Sequence, residues 1–230
     1  MQHLKVENYH PQLVFENRLD QIIREQTQSA AQEKTRTLRL MAEAFVTAVA
    51  APTVTPGGGS VSALAGALAA ALGEMVCGLS LHRQSLAAQH AKLKELQNRL
   101  SLLRQRLLEN VDRDALSYDA VMAAFKLPKS TETEKAGRAQ AIEEAGKNAT
   151  SVPLETAELS AEVAKIISSL RDISIPLAAP DLAVAFDLAG TAKRGGIENV
   201  RANLASIRDQ EFLDGVERRL EALKKAVTGD

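Results

Sequence analysis

The chain has 230 residues, of which 45% are hydrophobic and 25% are charged, a composition that excludes a disordered chain. Its 28 Lys and Arg residues nearly balance its 29 Asp and Glu residues, and the net charge of -1 gives no overall field to attract nucleic acid or an anionic membrane. Cys77 is the single cysteine, so an internal disulfide is excluded, and the N-terminal stretch MQHLKVENYH lacks the layout of a signal peptide, so we expect a cytoplasmic protein.

The sequence predicts helices almost throughout and no strand. Alternation of β-branched residues is scarce, whereas leucines recur at helical spacing from Leu93 to Leu107. We predict an all-α fold in which a single-domain helical bundle over residues 37–230 follows an N-terminal helical arm over residues 1–36. The predicted helices cover residues 11–28, 31–50, 60–81, 86–125, 132–169, 181–194, 196–206 and 209–227.

Three local signals bear on the helix ends. Ser60 is predicted to cap the helix over residues 60–81. Thr131 with Glu134 predicts a capping box at the start of the helix over residues 132–169. Pro153 lies inside that helix and is expected to kink or split it, because proline lacks the backbone N–H.

The stretch TPGGGSVSALAGALAAALGEMV, residues 55–76, joins a glycine-rich loop directly to a strongly helix-forming segment. Glycine permits positive φ and, without a β-carbon, lets another group approach the main chain closely. The loop faces the positive end of the helix dipole and its unpaired N–H groups. Such a junction either holds an anion or is a tight turn into a buried helix.

The helix after this loop is long and apolar. Residues 61–81 approach the length of a membrane span, but we predict a buried helix, because Ala and Gly outnumber Leu and Glu74 lies inside. Small residues form one stripe along it and allow a neighbouring helix to pack closely. The helix is therefore predicted to lie centrally in the core or at a subunit interface. The stripe comprises Gly66, Ala70, Gly73 and Cys77.

Most catalytic arrangements are missing from the sequence. His3, His10, His82 and His90 do not form a metal-ligand pattern, so we expect no metal. No lysine follows the glycine run, as it would in a nucleotide-binding loop, and no serine lies in a nucleophile elbow. His82 is either a titrating group or a satisfied structural residue, and Asp181 is either a helix cap or a ligand contact.

Carboxylates remain as candidates for proton transfer. Asp112 and Asp114 lie about 200° apart on one predicted helix, so only one of them can face inward. Asp114 shares its face with Tyr118, Met122 and Phe125, which predicts that this face is the more buried one. A carboxylate on a partly apolar face can act as a general acid or base near neutral pH, whereas the alternative is a carboxylate paired with Arg or Lys.

Five stretches occur in unbroken order over about residues 38 to 225, and their co-occurrence is far more specific than any one of them. They are PTVTPGGGSVSALAGALAAALGEMV, DRDALSYDAVMAAFKLPKSTETEKAGR, SVPLETAE, PDLAVAF and GGIENVRANL. Together they resemble the signatures of the cyclodeaminase/cyclohydrolase family, which comprises methenyltetrahydrofolate cyclohydrolases and the C-terminal part of formimidoyltransferase-cyclodeaminase. The resemblance implies an all-helical fold that forms a homodimer and binds a reduced folate.

The resemblance also implies roles for individual residues. It places the family's acidic catalytic residue on Asp114, and Asp112 matches a second acid of only some members. A helix N-terminus preceded by glycines and nearby basic side chains both suit the carboxylates of a folate. The residues expected to bind the folate are Pro56, Gly57, Gly58, Gly59, Ser60, Arg83, Lys126, Lys129, Asp181, Asn199 and Asn203.

The implied reaction is hydrolysis of 5,10-methenyltetrahydrofolate to 10-formyltetrahydrofolate. The methenyl carbon is already electrophilic, so positioning and proton transfer suffice without a metal. We prefer this reaction because the formimidoyl-transfer part is missing from this chain. A formimidoyltetrahydrofolate cyclodeaminase that releases ammonia, and a non-catalytic member that binds folate or a partner, are the alternatives.

Two departures from the family pattern leave the non-catalytic alternative open. The chain reads LHRQ where relatives have a glycine followed by two basic residues, so it keeps only Arg83. Pro180 replaces a serine before Asp181 and removes a hydroxyl and a backbone donor. Either change is able to alter the substrate or the turnover.

Overall fold

The structure, a computed structural model, describes Ile23 and residues 38–225, and the regular secondary structure in this part of the chain is entirely helical. The predicted all-α fold is thereby confirmed. The chain divides into two compact units, Met1–Pro52 and Thr53–Asp230. In the first unit the described residues 38–50 form helix α1, within the helix predicted over residues 31–50. The boundary predicted after residue 36 and the helix over residues 11–28 lie outside the described residues, apart from Ile23, which is helical.

The described residues of the second unit form five α-helices. They are α2 (Gly58–Leu81), α3 (His90–Phe125), α4 (Glu132–Leu170), α5 (Ala179–Leu204) and α6 (Gln210–Lys225), with short 3₁₀ helices at Gln84–Gln89 and Pro176–Ala178. Four predicted helices are confirmed within a few residues at their ends. The capping box is confirmed as well, because Thr131 accepts from the N–H of Glu134 while the Glu134 carboxylate accepts from the N–H of Thr131.

Helix α5 is continuous where two helices, 181–194 and 196–206, were predicted. A Cβ at Gly195 would lie 2.1 Å from the hydroxyl oxygen of Ser62 in α2, and a Cβ at Gly196 would lie 2.7 Å from the carbonyl oxygen of Pro153 in α4. Both distances are shorter than real contacts of a β-carbon. The two glycines therefore allow close helix packing and do not end the helix, which corrects the prediction.

The sequence predicted a kink or a split at Pro153, and the split is wrong because α4 runs as one helix through this residue. The physical reason involves Ala149, one turn before Pro153 in α4, and Asn203 in α5. Proline has no N–H to donate to the carbonyl of Ala149. The side-chain amide of Asn203 in α5 donates to that carbonyl instead, at 2.7 Å. The buried proline is therefore accommodated because a side chain supplies the missing hydrogen bond.

Helices α2 to α5 form a bundle in which consecutive helices run in opposite directions. The start of α2 meets the second half of α3 at Asp114, and the ends of α2 and α3 that are distant from Asp114 meet where Gly78 faces Gln97. A Cβ at Gly73 would lie 2.4 Å from Ile167 of α4 and 2.9 Å from Leu100 of α3. The predicted small-residue stripe thus packs in the core, together with the buried leucines Leu93, Leu96, Leu100, Leu103 and Leu107. Helix α6 covers a second apolar cluster with α4 and α5.

Helix α2 is apolar on its exposed side as well as on its buried side. Among the described helices it is the one long and apolar enough to cross a membrane by length and composition, and 44% of its most apolar window is buried inside this chain. The buried part agrees with the prediction of a core helix. Four large apolar side chains on the other side are 40–49% exposed: Val61, Leu68, Met75 and Leu79.

Candidate functional site

The glycine loop leads into α2 in a way that differs from the prediction. Helix α2 begins at Gly58 with Gly57 as its N-cap, so Ser60 lies inside the first turn and does not cap the helix. No described glycine has a positive φ, so the loop does not use the conformational freedom of glycine. Close approach explains the sequence instead. A Cβ at Gly59 would lie 2.0 Å from Oδ1 of Asp114 and 2.5 Å from its Cγ.

Asp114 is brought to the start of α2 by helix α3. The hydroxyl of Ser60 lies 3.1 Å from Oδ2 of Asp114. Burial raises the pKa of Asp114, and hydrogen bonds from the hydroxyl and the backbone N–H of Ser60 partly oppose the rise. Within the part of the chain that the structure describes, no Arg or Lys contributes to this pKa. The carboxyl group is therefore partly desolvated and lacks a counter-charge, which suits a group that exchanges protons.

As expected, Asp114 is half-buried on α3 and Asp112 is exposed, but two of the apolar residues named with Asp114 do not mark the buried face. Met122 and Phe125 are 39% and 45% exposed, so they do not mark a buried side. Asn110, Ser117 and Ala124 are the buried residues on this half of the helix, and Asp114 lies between the first two at helical spacing. Met122 lies about 80° around α3 from Asp114, whereas Ser117 and Ala124 continue the buried face, so the apolar residues at 122 and 125 do not define that face.

A cavity of about 300 Å³ opens beside Asp114. The loop before α2 and helices α2, α3, α4 and α5 all contribute to its wall, and Asp114 is the one charged residue among those that line it. A size of about 300 Å³ is at the lower end for a small-molecule site. The lining residues are Val54, Thr55, Gly57, Gly58, Gly59, Asp114, Ser117, Tyr118, Val121, Gly146, Ala149, Asn199, Asn203 and Ser206.

Two asparagines of α5 face this cavity with their amide groups held by backbone carbonyls. Asn199 donates to the carbonyl of Gly195 at 2.8 Å, and Asn203 donates to the carbonyl of Ala149 at 2.7 Å. Because a carbonyl only accepts, each bond orients the NH₂ group and leaves the amide oxygen as an acceptor. The arrangement can therefore accept hydrogen bonds from N–H groups of a ligand.

Two of the residues expected to bind a ligand lie at the opposite end of the bundle. Helix α2 has 24 residues, which corresponds to a length of about 36 Å, and Arg83 follows its far end. Asp181 is 18 residues before Asn199 in α5, about 27 Å along the helix axis. The N–H of Ile175 donates to Ser80 at this far end, at 3.1 Å. The structure of one chain therefore does not bring Arg83 or Asp181 to the cavity. Both departures from the family pattern, the LHRQ stretch and Pro180, also lie at the far end of the bundle.

Five further predicted residues lie nearer to the cavity but do not line it. Asp112 is exposed, because it lies about 200° around α3 from Asp114. Lys126 and Lys129 are exposed at and beyond the end of α3, with Lys126 about 18 Å along the helix axis from Asp114. Pro56 is half-buried between two loop residues that do line the cavity. Ser60 is fully buried beneath Asp114.

Several lining residues were missing from the predicted set. Ser117 and Val121 follow Asp114 at spacings of three and seven, so a helical projection of α3 gives a signal for both. Gly146 and Ala149 in α4 are small residues at helical spacing, a pattern that core packing produces equally well. Ser206, just after α5, carried no signal in the sequence.

No group of three or more His, Cys, Asp or Glu residues that could hold a metal ion occurs among the described residues. His82 contacts the carbonyl oxygen of Gly78 at 2.7 Å, and His90 contacts that of Arg83 at 3.1 Å, so both have structural partners. His3 and His10 lie outside the described residues. Because this finding covers only the described residues, catalysis without a metal ion stays a prediction.

The chain is similar to known proteins in both sequence and structure. A family model described as formiminotransferase-cyclodeaminase matches residues 41–222. The methenyltetrahydrofolate cyclohydrolase of Methylorubrum extorquens is 35% identical over 184 residues, which make up 79% of this chain and 87% of that protein. The formimidoyltransferase-cyclodeaminase of Rattus norvegicus is 32% identical over 180 residues, and the chain spans 33% of its length. The crystal structure of formiminotetrahydrofolate cyclodeaminase from Thermotoga maritima has a TM-score of 0.72 and 27% identity, covering 80% of this chain and 88% of that one.

Proposed function

The chain belongs to the formiminotransferase-cyclodeaminase family, and from this premise we propose that it hydrolyses 5,10-methenyltetrahydrofolate to 10-formyltetrahydrofolate. The observation that carries the proposal is the carboxyl group of Asp114, which lies against the start of α2 beside a cavity and has no counter-charge among the described residues. The similarity to a cyclohydrolase along most of that protein's length favours this reaction over the alternatives.

The proposed chemistry uses Asp114 as the group that moves a proton. The ionised carboxylate takes a proton from the water that attacks the methenyl carbon. It returns that proton to the ring nitrogen whose bond to this carbon breaks, and the hydroxyl proton of the intermediate leaves to solvent as the formyl group forms. Partial burial makes the carboxylate a stronger base, and the cationic substrate supplies an opposite charge that the described residues do not provide.

Other residues of the site are proposed to hold the folate. The glycine main chain at Gly57–Gly59 presents the unpaired N–H groups of a helix start, and the oxygens of Asn199 and Asn203 accept from ring N–H groups. Lys126 and Lys129 are placed to attract the carboxylates at the distant end of an extended folate. Asp112 is not part of this proposal because it is exposed away from the cavity.

The absorbance of methenyltetrahydrofolate, followed over time with purified protein, tests the reaction. Asp114→Asn is expected to lower kcat/KM by about 10²–10⁴-fold, the usual contribution of a general acid or base. Asp119→Asn removes an exposed carboxylate from the same helix and is expected to keep the wild-type rate. A folded Asp114→Asn protein with full turnover would show that the assignment is wrong.

Cyclodeamination is the second candidate, supported by the likeness to the Thermotoga maritima cyclodeaminase. In that reaction a folate nitrogen attacks the formimino carbon, and Asp114 would protonate the departing ammonia. Release of ammonia from formiminotetrahydrofolate, with no loss of methenyltetrahydrofolate in the first assay, would favour it. Binding of folate without either reaction would identify a non-catalytic member of the family.

A cytoplasmic homodimer is the form in which we propose that the protein works. The support for a second copy is the exposed apolar side of α2, formed by Val61, Leu68, Met75 and Leu79, because large apolar side chains along one helix face are typical of an interface. Sedimentation equilibrium at several protein concentrations tests this, and a monomer at micromolar concentration would contradict it.

A further inference from the structure

The hydroxyl of Ser60 lies between two acceptors at the base of the cavity. Its oxygen is 2.9 Å from the carbonyl oxygen of Val111 and 3.1 Å from Oδ2 of Asp114. A serine hydroxyl carries one hydrogen, which points fully at one of these acceptors at a time. The carbonyl of Val111 lies inside α3 and has a helical partner as well, so it does not depend on the serine.

The two acceptors fit the two protonation states of the acid. When Asp114 is ionised, the Ser60 hydroxyl can donate to Oδ2, in addition to the backbone N–H of Ser60. When Asp114 is protonated, its own O–H can donate to the oxygen of Ser60, and the Ser60 hydrogen can then turn to the carbonyl of Val111. Rotation about one C–O bond therefore gives the Ser60 hydroxyl and Oδ2 of Asp114 a hydrogen-bond partner in both states.

Among the described residues, α2, α4 and α5 present no titratable group to Asp114 in this cavity. On the side of α2 the facing group is Ser60, and helices α4 and α5 contribute Ala149, Asn199 and Asn203 to the same cavity, none of which titrates. Tyr118, on α3 itself, is the other titratable residue of the lining. Burial and the hydrogen bonds from Ser60 are the causes that act on the pKa of Asp114.

We propose that Ser60 is a positioning residue that holds the carboxyl group of Asp114 in one orientation in both protonation states by turning its single hydroxyl hydrogen. Ser60 is fully buried, so it acts on the substrate through Asp114 and does not touch it. The catalytic consequence rests on the proposed function, since it requires Asp114 to take up and return a proton, whereas the hydrogen-bond exchange itself does not.

Titration of Asp114 by carbon NMR, in protein labelled at the aspartate carboxyl carbons, tests the exchange without any substrate. Asp114→Asn identifies the resonance. In Ser60→Ala both forms of Asp114 lose a hydrogen bond, but the ionised form loses the stronger one because it involves a charged group. The midpoint is therefore expected to move to higher pH, and the protonation constant should rise about tenfold. Ser60→Cys keeps a weak donor and is expected to give a smaller rise.

Ser80→Ala is the matched control, because Ser80 is equally buried in the same helix but bonds the N–H of Ile175 at the far end. Its midpoint should equal that of the wild type. An unchanged midpoint in both Ser60 variants, or an equal rise in Ser80→Ala, would overturn the proposal. If Ser60→Ala does not fold, the titration of Ser60→Cys tests the proposal in its place.

With methenyltetrahydrofolate as substrate, the acid limb of the kcat/KM profile should move with the midpoint. A moved midpoint in a protein without turnover would refute the proposed function and leave the role of Ser60 standing.

Discussion

Replacing Gly59 with alanine places a methyl group where the acid now lies. The new Cβ would stand 2.0 Å from Oδ1, 2.5 Å from Cγ and 2.6 Å from Oδ2 of Asp114, and real contacts of a β-carbon are essentially never under 3.0 Å. The carboxyl group must therefore move by about 1 Å or more. A displacement of this size in a reacting group costs about 10²-fold in rate.

The effect of Gly59→Ala on stability is expected to be much smaller than its effect on rate. Overpacking costs about 1–3 kcal/mol, and alanine is better than glycine inside a helix by about 1 kcal/mol. The net cost of about 0–2 kcal/mol corresponds to a decrease in Tm of at most several degrees. The protein should fold, bind folate and turn it over about a hundredfold more slowly.

Steady-state kinetics on methenyltetrahydrofolate, together with thermal unfolding, measure both effects. Gly137→Ala in α4 has nothing within 4 Å of its new Cβ, so it isolates the gain from helix propensity and should keep the wild-type rate. Gly58→Ala meets Asn199 at 3.6 Å, an ordinary contact, and should lose far less activity than Gly59→Ala. In an Asp114→Asn background, Gly59→Ala should add almost nothing. Equal losses at Gly58 and Gly59, or additive losses with Asp114→Asn, would refute the explanation.

Three further predictions concern stability. Burial raises the pKa of Asp114, so the folded state favours the protonated form; this contribution is fully present below the unfolded-state pKa and is lost as pH rises through the folded-state pKa. The Tm of Asp114→Asn relative to the wild type should therefore increase from acid to neutral pH in thermal scans, and a difference independent of pH would contradict this. Thr131→Ala removes the capping box of α4 and should cost about 1 kcal/mol, or about 2–4 °C in Tm, whereas Thr131→Ser should restore it. Asn203→Ala leaves the buried carbonyl of Ala149 without its donor and should cost about 1–3 kcal/mol in urea unfolding, and a cost near zero would show that water replaces the amide.

The elements that the sequence predicted correctly are those set by local chemistry. The leucine repeat of α3, the capping box of α4 and the small-residue stripe of α2 each depend on residues within one helix. The errors arose at residues whose conformation depends on contacts with another helix. In the sequence, Gly195 and Gly196 resemble a helix break, but in the structure they allow α2 and α4 to pack closely against α5. Pro153 also resembles a helix break, but Asn203 of α5 donates the hydrogen bond that the proline cannot.

The candidate site shows the same division. The meeting of the glycine loop with Asp114 could be predicted, because a resemblance over most of the chain placed both in one site. The prediction that Ser60 caps α2 was wrong, because its hydroxyl group makes hydrogen bonds to Val111 and Asp114 of α3. Arg83 and Asp181 are distant for a geometric reason that no single motif reveals. Arg83 follows the far end of α2, which is about 36 Å long, and Asp181 lies about 27 Å along α5 from Asn199.

Where Gly57, Gly58 and Gly59 border the cavity, the wall consists of peptide groups, and substitution alters side chains while the peptide groups remain. Adaptation to a bulkier or smaller ligand must therefore come from the facing wall, where Val121 and Ala149 present side chains that can grow or shrink. Natural variation in ligand preference within this architecture should accordingly concentrate on α3 and α4, while Gly59, where a Cβ would overlap Asp114, stays glycine.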